Sequence, residues 1–410
     1  MNQRENGNHA REMPIADDDM NPRAPRRPVR PGERVAGSFF RIAARWTGLR
    51  PSLVPSHLRR QLSLIGVDDD DLARVLRNLR NLADWPYAWE AEGDRLFSEG
   101  RTFDASAAWY VGQRLLLSDS PLKRRLYEQS REAYVQAAGP GLEHVRVNVR
   151  AGTVAGYLDI PTQPAPPEGF RTVFMLPGVT STKEELHVFA APLVRRGCAV
   201  VRIDNPGYGE TSGLFEASSL RNITYVMEQL ASDPRLNEHD FHIFSMSLGG
   251  HCSLHSSYES RACSTTIIAA PFAPHEYMHT VPQSNVTAVQ RMLGTATFQE
   301  TWETIRTFDL TDIASRISIP VHIIHGGRDR TIPVSEATRI AESISGPASV
   351  TIHERDHHNC LEHFEDIMAD TLEWLDDPQP ALLRYAEHRE SSALPEPRVT
   401  GAHVAHEQPA

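Results

Sequence analysis

The stretch Asp240-Phe-His-Ile-Phe-Ser-Met-Ser247-Leu-Gly249, with Gly250 after it, decides how this chain is read. A short apolar run leads directly into Ser-x-Ser-x-Gly. A strand that turns this abruptly into a helix leaves little room beside its central serine, so small residues must flank it. The strained backbone at such a turn lifts the serine Oγ clear of the sheet and frees the next N–H for an oxyanion. Ser245 stands where this pattern usually has glycine, a departure that keeps the position small. The segment predicts a strand over 241–246, a nucleophile at Ser247 and a helix from 248.

The same alternation extends outward on both sides. Short apolar runs at 143–149, 155–160, 172–176, 198–203, 265–269, 320–325 and 348–353 read as strands. Amphipathic segments at 184–196, 216–231, 248–260, 334–345 and 361–376 separate the later ones. This pattern predicts an α/β fold, a mostly parallel, doubly wound sheet with helices on both faces. The first two strands have no helix between them and are expected to form an antiparallel hairpin at one edge. About fifty residues, Ala270 to Ile319, separate two strands, a length that predicts a functional lid at about 271–318. Upstream of Ala138-Gly-Pro-Gly141 the apolar spacing is helical, as in Asp71-Leu-Ala-Arg-Val-Leu-Arg-Asn-Leu. The expected organisation is a disordered tail over 1–36, a helical N-terminal domain over 37–140, a catalytic domain over 141–386 and a second disordered tail over 387–410. Both tails are polar and poor in large apolar groups.

A parallel sheet presents its functional groups on loops beyond the carboxyl ends of its strands. Here four such loops carry a full set of groups for acyl chemistry. A serine hydroxyl near neutral pH needs a base to take its proton. A carboxylate must hold that base in the right tautomer, and the oxyanion needs two N–H donors, each worth about 3–4 kcal/mol. Ser247, Asp329 and His357 follow the order nucleophile, acid, histidine at spacings of 82 and 28 residues. The N–H groups of Leu248 and Val179 are the expected oxyanion donors. Each part also has a plainer reading: Asp329 as the cap of a helix near Pro333, the histidine as a surface residue near a chain end. Asp204-Asn-Pro-Gly-Tyr-Gly209 reads as a structural turn. The conjunction on predicted strand ends favours catalysis. Of two adjacent histidines, His357 follows its strand at the usual distance and is the expected base, with His358 pointing the other way. His325 is expected to pack beneath the site. His275, Glu276 and Tyr277 on the lid are candidate substrate contacts, with lid surface as the plainer reading.

The bulk numbers narrow the function. A chain of 410 residues, 40% hydrophobic and 23% charged, suits a large globular core with an accessory domain. A formal charge of −11 argues against nucleic acid or an anionic membrane as the main partner. No run of about 18 apolar residues suggests a spanning helix, and residues 1–34 lack the apolar stretch of a secretory signal. The four cysteines, Cys198, Cys252, Cys263 and Cys360, show no CxxC pairing, as expected of thiols in a reducing cytoplasm. The expectation is a cytoplasmic protein acting on a small-molecule substrate, with no cofactor and no metal. The His353, His357, His358 group lacks the ligand pattern of a zinc site. Positive charge is nearly all arginine, Lys123 and Lys183 being the two lysines. An apolar face on the N-terminal helices is a candidate homodimer contact.

Across residues 143–380 the chain resembles the α/β-hydrolase superfamily, on Asp204-Asn-Pro-Gly-Tyr-Gly209-Glu, Ser245-Met-Ser247-Leu-Gly249-Gly250, Gly327-Arg-Asp329-Arg-Thr-Ile-Pro333 and Asp356-His357. Pro177-Gly-Val-Thr-Ser-Thr-Lys183-Glu-Glu and the helical N-terminal domain are similar to the branch holding 2,6-dihydroxypseudooxynicotine hydrolase, FrsA-like proteins and fungal polyketide-shortening hydrolases. Ser245 and the short Asp-His-His-Asn ending depart from that branch. The resemblance implies a serine hydrolase whose helical domain, roughly 40–138, caps the active site. The bond cleaved would be a carbon–carbon bond beside a ketone or an ester, in a bulky aromatic or polyketide-like molecule. A general carboxylesterase, an acyltransferase or cyclase, and a non-catalytic binding protein are the alternatives it leaves open.

Overall fold

The computed structural model describes residue 54 and residues 56–116 and 119–392. The tail expected over 1–36 lies outside them. Among the described residues five helices come first: α1 (Ser56–Leu64), α2 (Asp69–Asn78), α3 (Trp85–Ser98), α4 (Thr102–Arg114) and α5 (Pro121–Ala138). Their starts follow from local chemistry. The Asp68 side chain accepts from the Asp71 N–H to cap α2, and Ser120 accepts from the Lys123 N–H to cap α5, with Pro121 in its first turn. Leu72, Val75 and Leu76 of α2 share one buried core with Trp85, Trp89 and Leu96 of α3 and Ala105 and Ala108 of α4.

Eight strands follow: β1 (Leu142–Val149), β2 (Gly152–Asp159), β3 (Phe170–Leu176), β4 (Ala199–Ile203), β5 (Leu236–Met246), β6 (Ala262–Ile268), β7 (Val321–Gly326) and β8 (Ala348–His353). They form one sheet in the order β1-β2-β4-β3-β5-β6-β7-β8. The β1–β2 and β2–β4 pairs are antiparallel and all later pairs parallel, so the hairpin lies at the edge. Between and after them run α6 (His187–Arg195), α7 (Asn222–Leu230), α8 (Leu248–Ser257), α9 (Pro274–Tyr277), α10 (Gln283–Leu293), α11 (Phe298–Arg306), α12 (Ser335–Ser343), α13 (Phe364–Asp376) and α14 (Gln379–Ser392). Successive strand residues enter opposite cores, as the pleat requires. Phe174, Val201 and Ile243 pack with Ile223, Val226 and Met227 of α7. Their neighbours Val173, Val200 and Phe244 pack with Phe189 and Leu193 of α6 and Ile367 and Met368 of α13.

Two features differ from the sequence reading. The C-terminal tail does not begin at 387: α14 continues to Ser392, because Ala381 is buried and Ser349 of β8 donates to its carbonyl at 3.1 Å. Residues from 393 on lie outside the described part. The insertion between β6 and β7 is itself helical, formed by α9, α10 and α11. Among the described residues no helix is long and apolar enough to cross a membrane.

Two buried cations, each held by carboxylates of the sheet and its loops, hydrogen-bond to the Tyr134 and Tyr127 hydroxyls of α5 and so join it to the sheet. Arg202 of β4 is fully buried, pairing with Asp159 of β2 and donating to the Tyr134 hydroxyl of α5. Lys183 is also fully buried, with Glu184, Asp204 and Glu210 at 2.8, 2.8 and 3.1 Å. Asp204 additionally accepts from the N–H groups of Lys183 and Glu210, and Asn205 donates to the Pro177 carbonyl. The loop after β4 thus works structurally, holding the loop after β3 in place.

Candidate active site

Ser247 lies between β5 and α8 with φ +54° and ψ −124°, a conformation that side-chain-bearing residues rarely adopt. Its N–H donates to Ile268 O at 2.8 Å. Close packing explains Gly249: a Cβ there would stand 2.5 Å from the Leu176 carbonyl oxygen and 2.7 Å from that of Pro177. Ser245, at the usual glycine position, is tolerated because its buried hydroxyl lies 2.7 Å from that of Ser253, which donates to Gly249 O. Leu248, the first residue of α8, and Val179, on the loop after β3, line the same cavity as Ser247.

Asp329 follows β7 and its side chain is fully buried. One carboxylate oxygen accepts from the Thr331 and Ile332 N–H groups at 2.7 and 3.0 Å. The other receives His358 Nδ1 at 2.6 Å, and His358 Nε2 lies 3.1 Å from Ser247 Oγ. Burial pushes the Asp329 carboxyl up, but the His358 bond and charge and the two backbone N–H groups outweigh it and hold the carboxyl below its usual range. His325 is fully buried, 3.5 Å from the same carboxylate oxygen and 3.1 Å from Ile332 O, beneath the site.

The expected position of His357 is corrected: the histidine between Asp329 and Ser247 is His358. His357 turns outward, 40% exposed, with Nδ1 3.5 Å from Glu362. The cause is the path of the chain after β8. Arg328 N–H donates to Asp356 O, and the carbonyls of Asp356 and His357 pass so close to Gly326 that a Cβ there would lie 2.3 Å from the latter. His357 is extended (φ −95°, ψ −165°), which sends adjacent side chains to opposite sides. With the backbone pinned over Gly326, the inward side falls to His358. Adjacency in sequence carried no signal that separates the two.

The cavity over Ser247 measures about 110 Å³, where about 10–15 Å³ on the same measure is enough to hold one water. Its walls are mainly apolar, contributed by Phe215, Met278, Val286, Met292, Ile305 and Phe308. Most belong to the insertion, whose ends are tied to α8: His251 lies 2.9 Å from Pro271 O and 2.7 Å from Phe308 O, and His255 lies 2.6 Å from Phe308 O. Of the three expected contacts, only Tyr277 lines the cavity. Burial, with the Glu336 and Asp329 charges, keeps its hydroxyl protonated. Glu276 instead makes a bidentate pair with Arg339 on the outside, and His275 packs edge-on against Trp302. Sequence reasoning missed the cavity residues of α10; their signal was the apolar i, i+3, i+6 spacing of Val286, Val289 and Met292.

Comparison with known proteins gives the family and the fold. The sequence profile of the alpha/beta hydrolase family matches residues 173–410. The 2,6-dihydropseudooxynicotine hydrolase of Paenarthrobacter nicotinovorans is 25% identical over 262 residues, covering 58% of this chain. The match spans 66% of that protein, just under two thirds of its length. Among solved structures, 2,6-dihydroxy-pseudo-oxynicotine hydrolase superimposes with a TM-score of 0.66 at 21% identity, covering 78% of this chain and 95% of that one. AbyA5 superimposes with a TM-score of 0.65 at 21% identity over 78% and 94%. At these identities the likeness is one of fold.

Proposed function

The chain belongs to the alpha/beta hydrolase family, and we propose that it is a serine hydrolase with Ser247 as nucleophile, His358 as base and Asp329 as its orienting acid. One observation carries this reading: a single imidazole spans Asp329 and Ser247, at 2.6 Å and 3.1 Å. Ser247 Oγ attacks the substrate carbonyl as its proton passes to His358 Nε2. Asp329, held ionised, stabilises the imidazolium. The Leu248 and Val179 N–H groups receive the oxyanion. Collapse of the tetrahedral intermediate breaks the bond to the leaving group, which takes the proton from His358. Water, deprotonated by the same nitrogen, then releases the acyl group and restores the serine hydroxyl.

The apolar walls suit a substrate whose acyl part is an alkyl chain or ring, attached through an ester or beside an activating ketone. The Tyr277 hydroxyl is a donor for a polar atom of that substrate. The N-terminal helices cap the approach: Leu58, Leu62 and Trp85 face Thr180 and Asn285 across a cleft, and Asn285 also lines the cavity over Ser247. A neutral alkyl fluorophosphonate tests the reading. The expected result is one adduct, on Ser247, absent from Ser247→Ala; folded full-length protein that forms no adduct overturns the reading.

A further inference from the structure

We propose that the substrate carries an anionic group, a carboxylate or phosphate, held at the far end of this cleft by Lys123, Arg124 and Arg291. The inference rests on the hydrolase reading for the placement of the reacting carbonyl at Ser247. A pocket of about 200 Å³ opens between α5, which supplies Lys123 and Arg124, and α10, which supplies Arg291. Arg114 and the loop residue Thr180 complete its inner side, and both also line the cleft that reaches Asn285. Thr180 directly follows Val179 of the Ser247 cavity. An apolar chamber at the nucleophile is therefore linked by one cleft to a basic chamber.

The cations of this chamber, Arg114, Lys123, Arg124 and Arg291, outnumber the carboxylates that meet them, Glu185 and Asp119. Arg114 is engaged by Glu185 at 2.8 Å, and Arg124 by Asp119 at 2.8 Å. Asp119 is the acidic side chain in the pocket wall and stands 3.9 Å from Arg291, beyond hydrogen-bond distance. Arg291 lies over the Tyr208 ring at 5.4 Å, and its buried Nη1 makes no hydrogen bond. Lys123 donates to the Leu116 carbonyl at 2.6 Å. Burial, with the Arg291 charge, outweighs the Asp119 carboxylate and pushes its ammonium down to about 7. Lys123 and Arg291 are partly buried and share Asp119, itself paired with Arg124, as their carboxylate neighbour; partly desolvated cations gain from a further counter-charge, and an anion between Lys123 and Arg291 supplies one. The protein as a whole carries −11, so this pocket runs against its overall charge.

The chain has only two lysines, and the other, Lys183, is fully buried, so an amine-acylating reagent reads this pocket directly. Full-length Ser247→Ala protein is acylated under limiting reagent, and Lys123 modification is followed by peptide mass spectrometry. Inorganic phosphate or succinate is expected to slow the reaction roughly tenfold or more relative to chloride at equal ionic strength. Protection by phosphate alone assigns a phosphorylated substrate; protection by succinate alone assigns a carboxylate. Arg291→Gln is expected to abolish the protection. Smaller slowing by both anions overturns the proposal, as does a Lys123 that resists acylation without any anion, since that pocket is closed. Fluorophosphonate labelling of wild type separates the two readings. Protection without a Ser247 adduct keeps the anion site and removes the hydrolase, whereas an adduct without protection does the reverse.

Discussion

Replacing His358 by alanine removes the imidazole 3.1 Å from Ser247 Oγ and leaves the Asp329 carboxylate buried without its 2.6 Å donor. General-base assistance alone is worth about 10²–10⁴ in rate. Because nucleophile and base act as a unit, loss of a triad histidine costs up to about 10⁶ in kcat. We therefore expect His358→Ala to lower both fluorophosphonate labelling of Ser247 and hydrolysis of p-nitrophenyl butyrate by about 10⁴–10⁶. His357→Ala removes a side chain that is 40% exposed and 3.5 Å from Glu362. Exposed pairs of this kind are worth about 0–1 kcal/mol in stability, and the rates should stay within about threefold of wild type, a factor worth under 1 kcal/mol. Both rates are to be measured on protein whose circular dichroism melt shows a cooperative transition. The reverse ranking, with His357→Ala inactive and His358→Ala active, refutes the assignment and with it the argument from the pinned backbone over Gly326.

Other perturbations test the framework around the site. Gly249→Ala drives a Cβ into the Leu176 and Pro177 carbonyls; we expect a loss of about 1–3 kcal/mol in urea titration, with slower Ser247 labelling, and unchanged behaviour would contradict the elbow packing. Lys183→Met leaves Asp204 and Glu184 buried without their shared cation; breaking such a cluster should cost about 3–5 kcal/mol, read from the denaturation midpoint. His322, buried against Trp374, has its pKa pushed down to about 4 by burial and the Arg384 charge. The unfolded chain takes up this proton near its ordinary 6.5 and the folded chain only near 4, so stability is full above 6.5 and falls by about 3 kcal/mol as pH drops through that window. His322→Phe should flatten that part of the stability–pH curve. Met292→Trp narrows the cavity over Ser247 and should lower kcat/KM for octanoyl esters at least tenfold more than for acetyl esters.

Legibility varied with the range of the determining interactions. The β5–α8 junction was readable because the constraint is local: an apolar run, a serine, and glycines where carbonyls crowd. Asp329 was readable both as candidate acid and as the cap of a helix near Pro333; the helix begins at Ser335 without a side-chain cap, and Asp329 binds the turn before it instead. One oxygen accepts the Thr331 and Ile332 N–H groups while the other meets His358. The first half of β5 was missed, since Asn237 to Asp240 are polar and only partly buried; Leu236 pairs with Phe170 across a register shift that no local pattern announces. The outward pairing of Glu276 was hidden as well, because Arg339, its partner, is 63 residues away.

The sequence by itself determined the alternation of strands and helices, the positions of the candidate nucleophile Ser247 and its candidate acid Asp329, and a long insertion able to cover them. These follow from short-range rules: side-chain periodicity, steric crowding at a tight turn, and the order in which strand ends reach one edge of a parallel sheet. Only the tertiary structure decided which of two adjacent histidines faces the serine, which insertion residue lines the cavity, and that Lys123 and Arg291 meet in one pocket. Each of these depends on how segments distant in sequence press on one another. A shift of a single residue over Gly326 exchanges His357 for His358 while leaving every local pattern the same.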